Sequence, residues 1–302
     1  MRMAWINGKI VPESEAVVSV YDSAMMFGDT CFEMTRSFRH RQFALRDHME
    51  RLQRSMEIVG MPCGMDVGAF ETACLEAVEA NPMPPEDEHR LMVNVTRGIL
   101  SIYRDVAPIG TNVIITDFPL RWTVQGMGRL FDTGVNAVTV WRRIGTEPTA
   151  KHRSRLHLLM ANREASKHEG DNWPLLMGKH GVAEGTGANF FIVKNGKVCT
   201  PYAKQCLDGI SRRFVLKITG GEEQSIWTGG VEAADEAFFT ATPFCIMPCC
   251  WIDGKPIGDG KPGPVTMRLL DEWSMHVGVD IVQQIKDWDK GAIDGPSPYK
   301  FK

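Results

Sequence analysis

The sequence predicts an α+β protein of two domains, on three observations. The chain has 302 residues, 43% of them hydrophobic, which is about the length at which a single core stops growing and a chain divides. Short apolar runs are broken by Asn7-Gly8 and Asn195-Gly196, and Asn-Gly between such runs is the strongest short hairpin signal. Between those hairpins lie segments whose apolar residues recur at helical spacing. The 116–134 stretch mixes Pro119, Gly126, Gly128 and Gly134 with few periodic residues. It places a linker at 119–130, between a small N-terminal α/β domain, 1–118, and a larger, β-rich C-terminal domain, 131–302.

Taken in order, residues 5–11 form the opening hairpin. Asp47 caps a helix over 48–59, with Met49, Leu52, Met56 and Val59 on one face, Arg51 outside that stripe and Gly60 as the stop. A second helix fits 67–80 and ends at the proline-rich 81–85 segment, and strands follow at 90–98 and 112–116. In the second domain strands are expected at 135–144, 175–179, 189–194, 197–200 and 236–241. A hairpin joins 249–251 to 255–257, and helices fit 211–218 and 263–276, the latter as the last helix. Leu156, Leu159 and Met160 recur at helical spacing just after Lys151.

Composition excludes several functions. A net charge of −3 supplies no basic field for nucleic acid, and no Lys/Arg cluster alternates with aromatics as a single-strand binder requires. No apolar run is long enough to cross a bilayer, and the first residues reach the turn at Gly8 too soon for a signal peptide. The eight cysteines are scattered without a Cys-x-x-Cys spacing, so they are expected to be reduced thiols of a cytoplasmic protein, with no metal site.

The residues that can carry chemistry start with Lys151, at the junction of the 135–144 strand and the following helix. A lysine held there partly out of water becomes a neutral nucleophile able to form an imine; a solvated loop lysine is the other reading. Glu184 lies in a glycine-rich turn, where Gly185 and Gly187 would let a cofactor approach the backbone closely. Leu207-Asp-Gly209-Ile210-Ser211 sets a glycine turn directly before a helix, whose unsatisfied N–H groups receive anions. Thr240-Ala241-Thr242 follows a strand with two hydroxyls. A helix cap and an ordinary loop are the alternatives for these last two.

Several stretches, in order along nearly the whole chain, resemble the signatures of one family. They are Phe27-Gly-Asp-Thr-Cys-Phe-Glu33, His48-Met-Glu-Arg-Leu-Gln-Arg-Ser55, Val95-Thr-Arg-Gly98, Lys151 with Ala161 and Ala165, Glu184-Gly-Thr-Gly-Ala-Asn189, Gly209-Ile-Ser-Arg212, Phe239-Thr-Ala-Thr242 and the 252–260 segment. The chain resembles the class IV, or fold type IV, pyridoxal-phosphate aminotransferases, which include branched-chain and D-amino-acid aminotransferases and aminodeoxychorismate lyase. The resemblance implies a two-domain fold with a β-barrel-like C-terminal domain, and pyridoxal 5′-phosphate as cofactor. It makes Lys151 the Schiff-base lysine and places Glu184 at the pyridine nitrogen. It further implies that phosphate is held by Arg51, the amides of Ile210 and Ser211, and Thr242, that an amino donor and a 2-oxo acid are the substrates, and that the enzyme is a homodimer whose sites borrow partner loops.

This sequence departs from the family where substrate is read. Relatives often place tyrosine four or five residues after the lysine, where Arg155 and Leu156 stand here; Arg155 is therefore expected near the cofactor's phenolic oxygen, a solvated or salt-bridged arginine being the alternative. Glu88-His89-Arg90 replaces the tyrosine and arginine of branched-chain enzymes, and Phe32 stands where D-amino-acid enzymes tend to have tyrosine. Arg97 is the leading candidate for the substrate carboxylate, with Arg36 and Arg90 in reserve and a structural arginine as the other reading. The expected activity is transamination between an amino acid or amine and a 2-oxo acid. A lyase that eliminates pyruvate and a cofactor-binding protein without catalysis are the alternatives.

Overall fold

The computed structural model describes residues 1–105, 110–141 and 147–290, so the last three residues of the expected 135–144 strand lie outside the described residues. The chain divides into two compact units, 1–123 with 150–155, and 124–149 with 156–302. The second piece of the first unit contains Lys151.

In the first unit β1 (Met3–Ile6) and β2 (Lys9–Pro12) form the hairpin about Asn7-Gly8, with Trp5 opposite Ile10. A short helix α1 (Ser23–Phe27), capped by Asp22, leads into β3 (Thr30–Met34). The two-residue strands β4 (Ser37–Phe38) and β5 (Arg41–Gln42) follow, then helices α2 (Leu45–Ile58) and α3 (Val67–Glu79). Strands β6 (His89–Thr96) and β7 (Asn112–Pro119) complete an antiparallel sheet of order β2-β1-β7-β6-β3. Side chains alternate across a sheet. Leu91, Val93 and Val95 of β6 face α2 and α3, where they join Met49, Leu52, Met56, Phe70 and Cys74 in one core. Their neighbours Met92 and Asn94 point the other way and are half-buried.

Two features of α2 differ from the sequence expectation. The helix begins at Leu45 rather than 48, because Ala44 takes a left-handed conformation (φ 50°) and serves as the N-cap. Asp47, expected to be the cap, lies in the first turn, where its charge still favours the helix dipole. The helix also buries two stripes at i, i+3, i+7 spacing: Met49, Leu52 and Met56, and beside them His48, Arg51 and Ser55.

The short helix α4 (Arg121–Val124) spans the boundary of the units. In the second unit come α5 (Leu130–Thr133), β8 (Val135–Trp141), α6 (Leu156–Ala165), β9 (Asn172–Gly178), β10 (Gly181–Gly185), β11 (Asn189–Lys194) and β12 (Lys197–Thr200). They are followed by α7 (Ile210–Thr219), β13 (Glu222–Glu223), α8 (Thr228–Glu232), β14 (Glu236–Ala241), β15 (Cys245–Ile252), β16 (Lys255–Pro256), α9 (Pro264–Val277) and α10 (Ile281–Asp289). The strands form one mixed sheet of order β10-β9-β8-β15-β14-β11-β12-β13, with β16 beside β15. It is the curled sheet of the expected α+β fold. Stacked Phe191 and Phe238, 4.9 Å between centroids, and Phe190 with Phe239, 5.0 Å, fill the β11–β14 pair.

Two expectations are corrected here. Leu156, Leu159 and Met160 are exposed, and α6 packs on β8 and β9 through Ala161 and Ala165 instead; small residues allow the close approach. The chain also continues past α9 into α10, capped by Asp280, whose carboxylate accepts from the Gln283 N–H.

Candidate active site

Lys151 sits in no regular element, yet its backbone is fixed on both sides. Its N–H donates to Ser55 Oγ at 3.0 Å, and its carbonyl accepts from the Phe32 N–H at 3.0 Å. His152 bridges to Cys31, and the Arg153 N–H donates to the Thr30 carbonyl at 2.8 Å. Residues 151–153 thus pair with β3, which is the edge strand of its sheet, and cover an edge that would otherwise expose unpaired backbone groups. These bonds group Lys151 with the first unit. The half-buried side chain reaches over Phe32, with Nζ 4.7 Å from the ring centroid. Burial pushes the neighbouring Cys31 thiol up to about 12, so that thiol stays protonated at neutral pH.

Ser55 is fully buried and its hydroxyl also donates to the Arg51 carbonyl at 2.9 Å. One residue therefore links the lysine's backbone to the helical turn bearing Arg51. The Arg51 guanidinium is set by Glu33 of β3 through a two-bond fork, Nε to Oε1 at 2.6 Å and Nη2 to Oε2 at 2.8 Å. His48 Nδ1 lies 2.8 Å from Glu33 Oε2. A carboxylate only accepts, so Nδ1 carries the proton; Nε2 is buried without a hydrogen-bond partner among the described residues. Burial alone would raise the Glu33 carboxyl, but the charge and bonds of Arg51 and the bond from His48 outweigh it and hold Glu33 far below the ordinary carboxylate range. Burial lowers His48, opposed by Glu33 and assisted by Arg51 and Lys151.

Both shifts have the same sign in stability. A depressed carboxyl stabilises the fold above its unfolded value of about 4.5, and that contribution drains away as pH falls below it. A depressed histidine leaves the unfolded chain binding the extra proton below about 6.5, which also favours unfolding as pH falls. Glu33→Ala removes the carboxylate that forks to the buried Arg51 guanidinium and is expected to cost about 3–5 kcal/mol at neutral pH. Its stability should fall less steeply than the parent's between pH 5 and 3, as read by urea unfolding at each pH; parallel curves would show that Glu33 is not the group titrating.

In the second unit Glu184 of β10 is oriented by two donors to Oε2, the Leu207 N–H at 3.1 Å and Asn189 Nδ2 at 3.3 Å. Asn189 Nδ2 also donates to the Leu207 carbonyl at 2.7 Å. Gly209 is the N-cap of α7, with no side chain capping the first-turn N–H groups of Ile210 and Ser211. A Cβ at Gly209 would lie 2.0 Å from Asn189 Oδ1, so glycine is required for the turn to close against the Asn189 amide. Across the strand pair from Asn189 stands Thr240, whose buried hydroxyl has no partner among the described residues. Thr242 follows in the turn after β14, half-buried. A carboxylate for a pyridinium nitrogen, an uncapped helix start and an orphaned hydroxyl for a phosphate fit pyridoxal phosphate. Among the described residues no three His, Cys, Asp or Glu side chains gather to hold a metal ion.

The remaining expected residues are placed differently. Arg155 lies with Lys151 on the Phe32 ring, its Cζ 5.6 Å from the centroid. Arg97 donates to Asp29 at 2.6 Å and to the carbonyls of Gly60 and Val59 at 2.8 and 3.2 Å. It therefore ties Asp29 to the C-terminal end of α2. Arg36 is buried with its guanidinium 3.8 Å from the Phe38 centroid, and buried Arg90 lies 3.7 Å from Met34 Sδ. Sequence reasoning assigned no role to Glu33, His48, Ser55, Asn189 or Arg153. The signal for the helical pair was present, since His48 and Ser55 share the i, i+3, i+7 stripe of Arg51.

The model of the family described as amino-transferase class IV matches residues 30–252. A putative branched-chain-amino-acid aminotransferase of Methanocaldococcus jannaschii is 32% identical over 279 residues, covering 89% of this chain and 94% of the relative. The branched-chain aminotransferase of Thermoproteus uzoniensis, solved with norvaline, superposes with a TM-score of 0.81 at 29% identity, covering 95% of this chain and 97% of that one. The enzyme from Thermobaculum terrenum in its PLP form gives 0.79 at 27% identity, covering 96% of each. The lysine fixed on β3, the oriented carboxylate and the family match lead to one conclusion: this chain belongs to the class IV aminotransferases and is a pyridoxal-phosphate-dependent enzyme.

Proposed function

We propose that this aminotransferase moves an amino group from an apolar, branched-chain-like amino acid to a 2-oxo acid, with Lys151 as the amine that holds the cofactor and transfers the proton. The observation that carries the reading is Lys151 pinned through Ser55 and Phe32, with its Nζ over an aromatic ring. The names of the relatives support an apolar substrate, as do the apolar side chains Phe32, Met34 and Met92, which share the face of the first unit's sheet that Lys151 reaches over. Pyridoxal phosphate, when bound, supplies an aldehyde and an electron-accepting ring. Lys151 would hold the cofactor through its amine, and the same Nζ, when not so engaged, would move a proton to and from the donor's Cα. Glu184 keeps a proton on the ring nitrogen, so that the ring stays cationic. Arg51, the amides of Ile210 and Ser211, and Thr242 receive the phosphate. The test is a half-reaction screen of L-amino acids, D-amino acids and amines against the holoenzyme. Loss of the cofactor's visible band with apolar amino acids is expected; no response to any donor would overturn the reading.

Arg155 takes the place of the relatives' tyrosine beside the cofactor. A cation close to the bound cofactor depresses the pH at which its visible band titrates. Arg155→Leu should shift that midpoint upward and leave phosphate binding intact; identical midpoints would remove Arg155 from the cofactor's surroundings. A homodimer is part of the same proposal, supported by Val17, Val20, Met25, Phe27 and Ile102, large apolar side chains left exposed on α1 and the segments around it. Light scattering should return twice the chain mass. The cytoplasmic placement is supported by eight cysteines that form no disulfide among the described residues.

A further inference from the structure

We infer that Arg153 is the residue that binds the substrate's carboxylate. The inference rests on Lys151 as the reactive amine and concerns what that amine works on. An α-amino acid carries its carboxylate two bonds from its nitrogen. The group that reads the carboxylate must therefore lie within a side chain's breadth of the reacting lysine, on ground a substrate can reach.

Arg153 meets both conditions. Residues 151–153 run antiparallel along β3, and in an extended segment residues two apart point to the same side. Lys151 and Arg153 accordingly converge on one ring, with Nζ 4.7 Å and the guanidinium carbon 3.8 Å from the Phe32 centroid. Phe32 is fully buried and fixes the plane on which the guanidinium stacks, an arrangement available to arginine and not to lysine. The Arg153 Nε donates to Asn94 Oδ1 at 3.0 Å, which sets the rotation of the guanidinium within that plane. Asn94 belongs to the row of β6 that includes half-buried Met92, so half-buried Arg153 stands on the sheet face turned away from the α2–α3 core. A guanidinium oriented in two directions is suited to hold a carboxylate through parallel bonds.

The other arginines of the first unit are placed against this role. Arg97 is bound to Asp29 and to the end of α2, and Arg36 lies over Phe38, beyond the end of β3. Arg90 is next to Met34, at the far end of the same strand pair.

The test uses the holoenzyme and two readouts. The first is the calorimetric affinity for pentanoate, a carboxylate with no amine to react, and it is independent of turnover. The second is kcat/KM for leucine against 3-methylbutan-1-amine, which differs only by the missing carboxylate. Arg153→Leu should weaken pentanoate at least tenfold and lower kcat/KM for leucine at least as much, while the value for the amine changes less than threefold. Arg153→Lys should recover only part of the loss. Asn94→Ala, which keeps the arginine and frees its rotation, should weaken pentanoate by a smaller factor, and this variant decides the matter if Arg153→Leu does not fold. Arg97→Leu should change leucine and amine alike. Unchanged pentanoate affinity in Arg153→Leu and Asn94→Ala, or equal losses for leucine and the amine, would overturn the assignment. A parent enzyme that binds pentanoate through Arg153 yet transaminates nothing would overturn the proposed function instead, so the two failures are distinct.

Discussion

Lys151→Ala should fold, retain pyridoxal phosphate without a covalent link, and lose turnover. The bonds that place residue 151 are made by its backbone, N–H to Ser55 and carbonyl from Phe32, and alanine preserves both. Only the amine is removed, together with its contact to the Phe32 ring. Because the same nitrogen holds the cofactor and moves the proton, its loss removes two roles at once, and activity should fall by at least the 10²–10⁴-fold typical of a lost general base. Circular dichroism and urea unfolding should match the parent. A variant that keeps its visible band would place the reactive amine elsewhere, with Lys167 and Lys179 as the next candidates.

Glu184→Gln should retain cofactor and slow the carbanion-forming step. The Leu207 N–H and Asn189 amide that donate to Glu184 Oε2 have an acceptor in the glutamine carbonyl, so the local structure should survive. A neutral amide does not hold a proton on a pyridine nitrogen as a carboxylate does. Losing one charge-assisted bond of about 1.5–3 kcal/mol in the transition state corresponds to roughly a ten- to hundredfold slower step. Single-turnover rates with a deuterated and a protiated donor isolate this step. Rates equal to the parent's would remove Glu184 from the ring nitrogen.

What the sequence revealed follows from how local each signal is. Asn7-Gly8 and Asn195-Gly196 mark hairpins because the turn needs only its own two residues, and both Asn7 and Asn195 take positive φ. The start of α2 was misplaced because an alanine in a left-handed conformation carries no residue signature. Leu156, Leu159 and Met160 of α6 repeat at helical spacing but are exposed, and spacing alone does not say which face is covered. α10 was missed although its signals are local: Asp280 caps it, and Ile281, Ile285 and Trp288 form its buried face.

The candidate site divides in the same way. Lys151 and Glu184 stood out as reactive types in turns, and resemblance gave them roles. Ser55 reaches Lys151 across 96 residues, and Glu33 reaches Arg51 across 18. Such pairs are made by the packing of α2 against β3, and no window of sequence contains both partners. Arg97 stood out because its neighbours Thr96 and Gly98 resemble a family motif, while the partners that occupy it, Asp29, Val59 and Gly60, lie far from it in sequence. Arg153 went unremarked although it follows Lys151 by two positions, since that spacing becomes informative only once the segment is known to be extended.

The central claim is that Lys151 is the amine that bears the cofactor. Borohydride reduction of the holoenzyme, followed by digestion and peptide mass mapping, tests it most directly, because reduction makes the link permanent without requiring turnover or a known substrate. The account predicts one phosphopyridoxyl group per chain, on the peptide containing Lys151, and none in Lys151→Ala. A phosphopyridoxyl group on another lysine of the parent enzyme, or labelling that persists in Lys151→Ala, would contradict it.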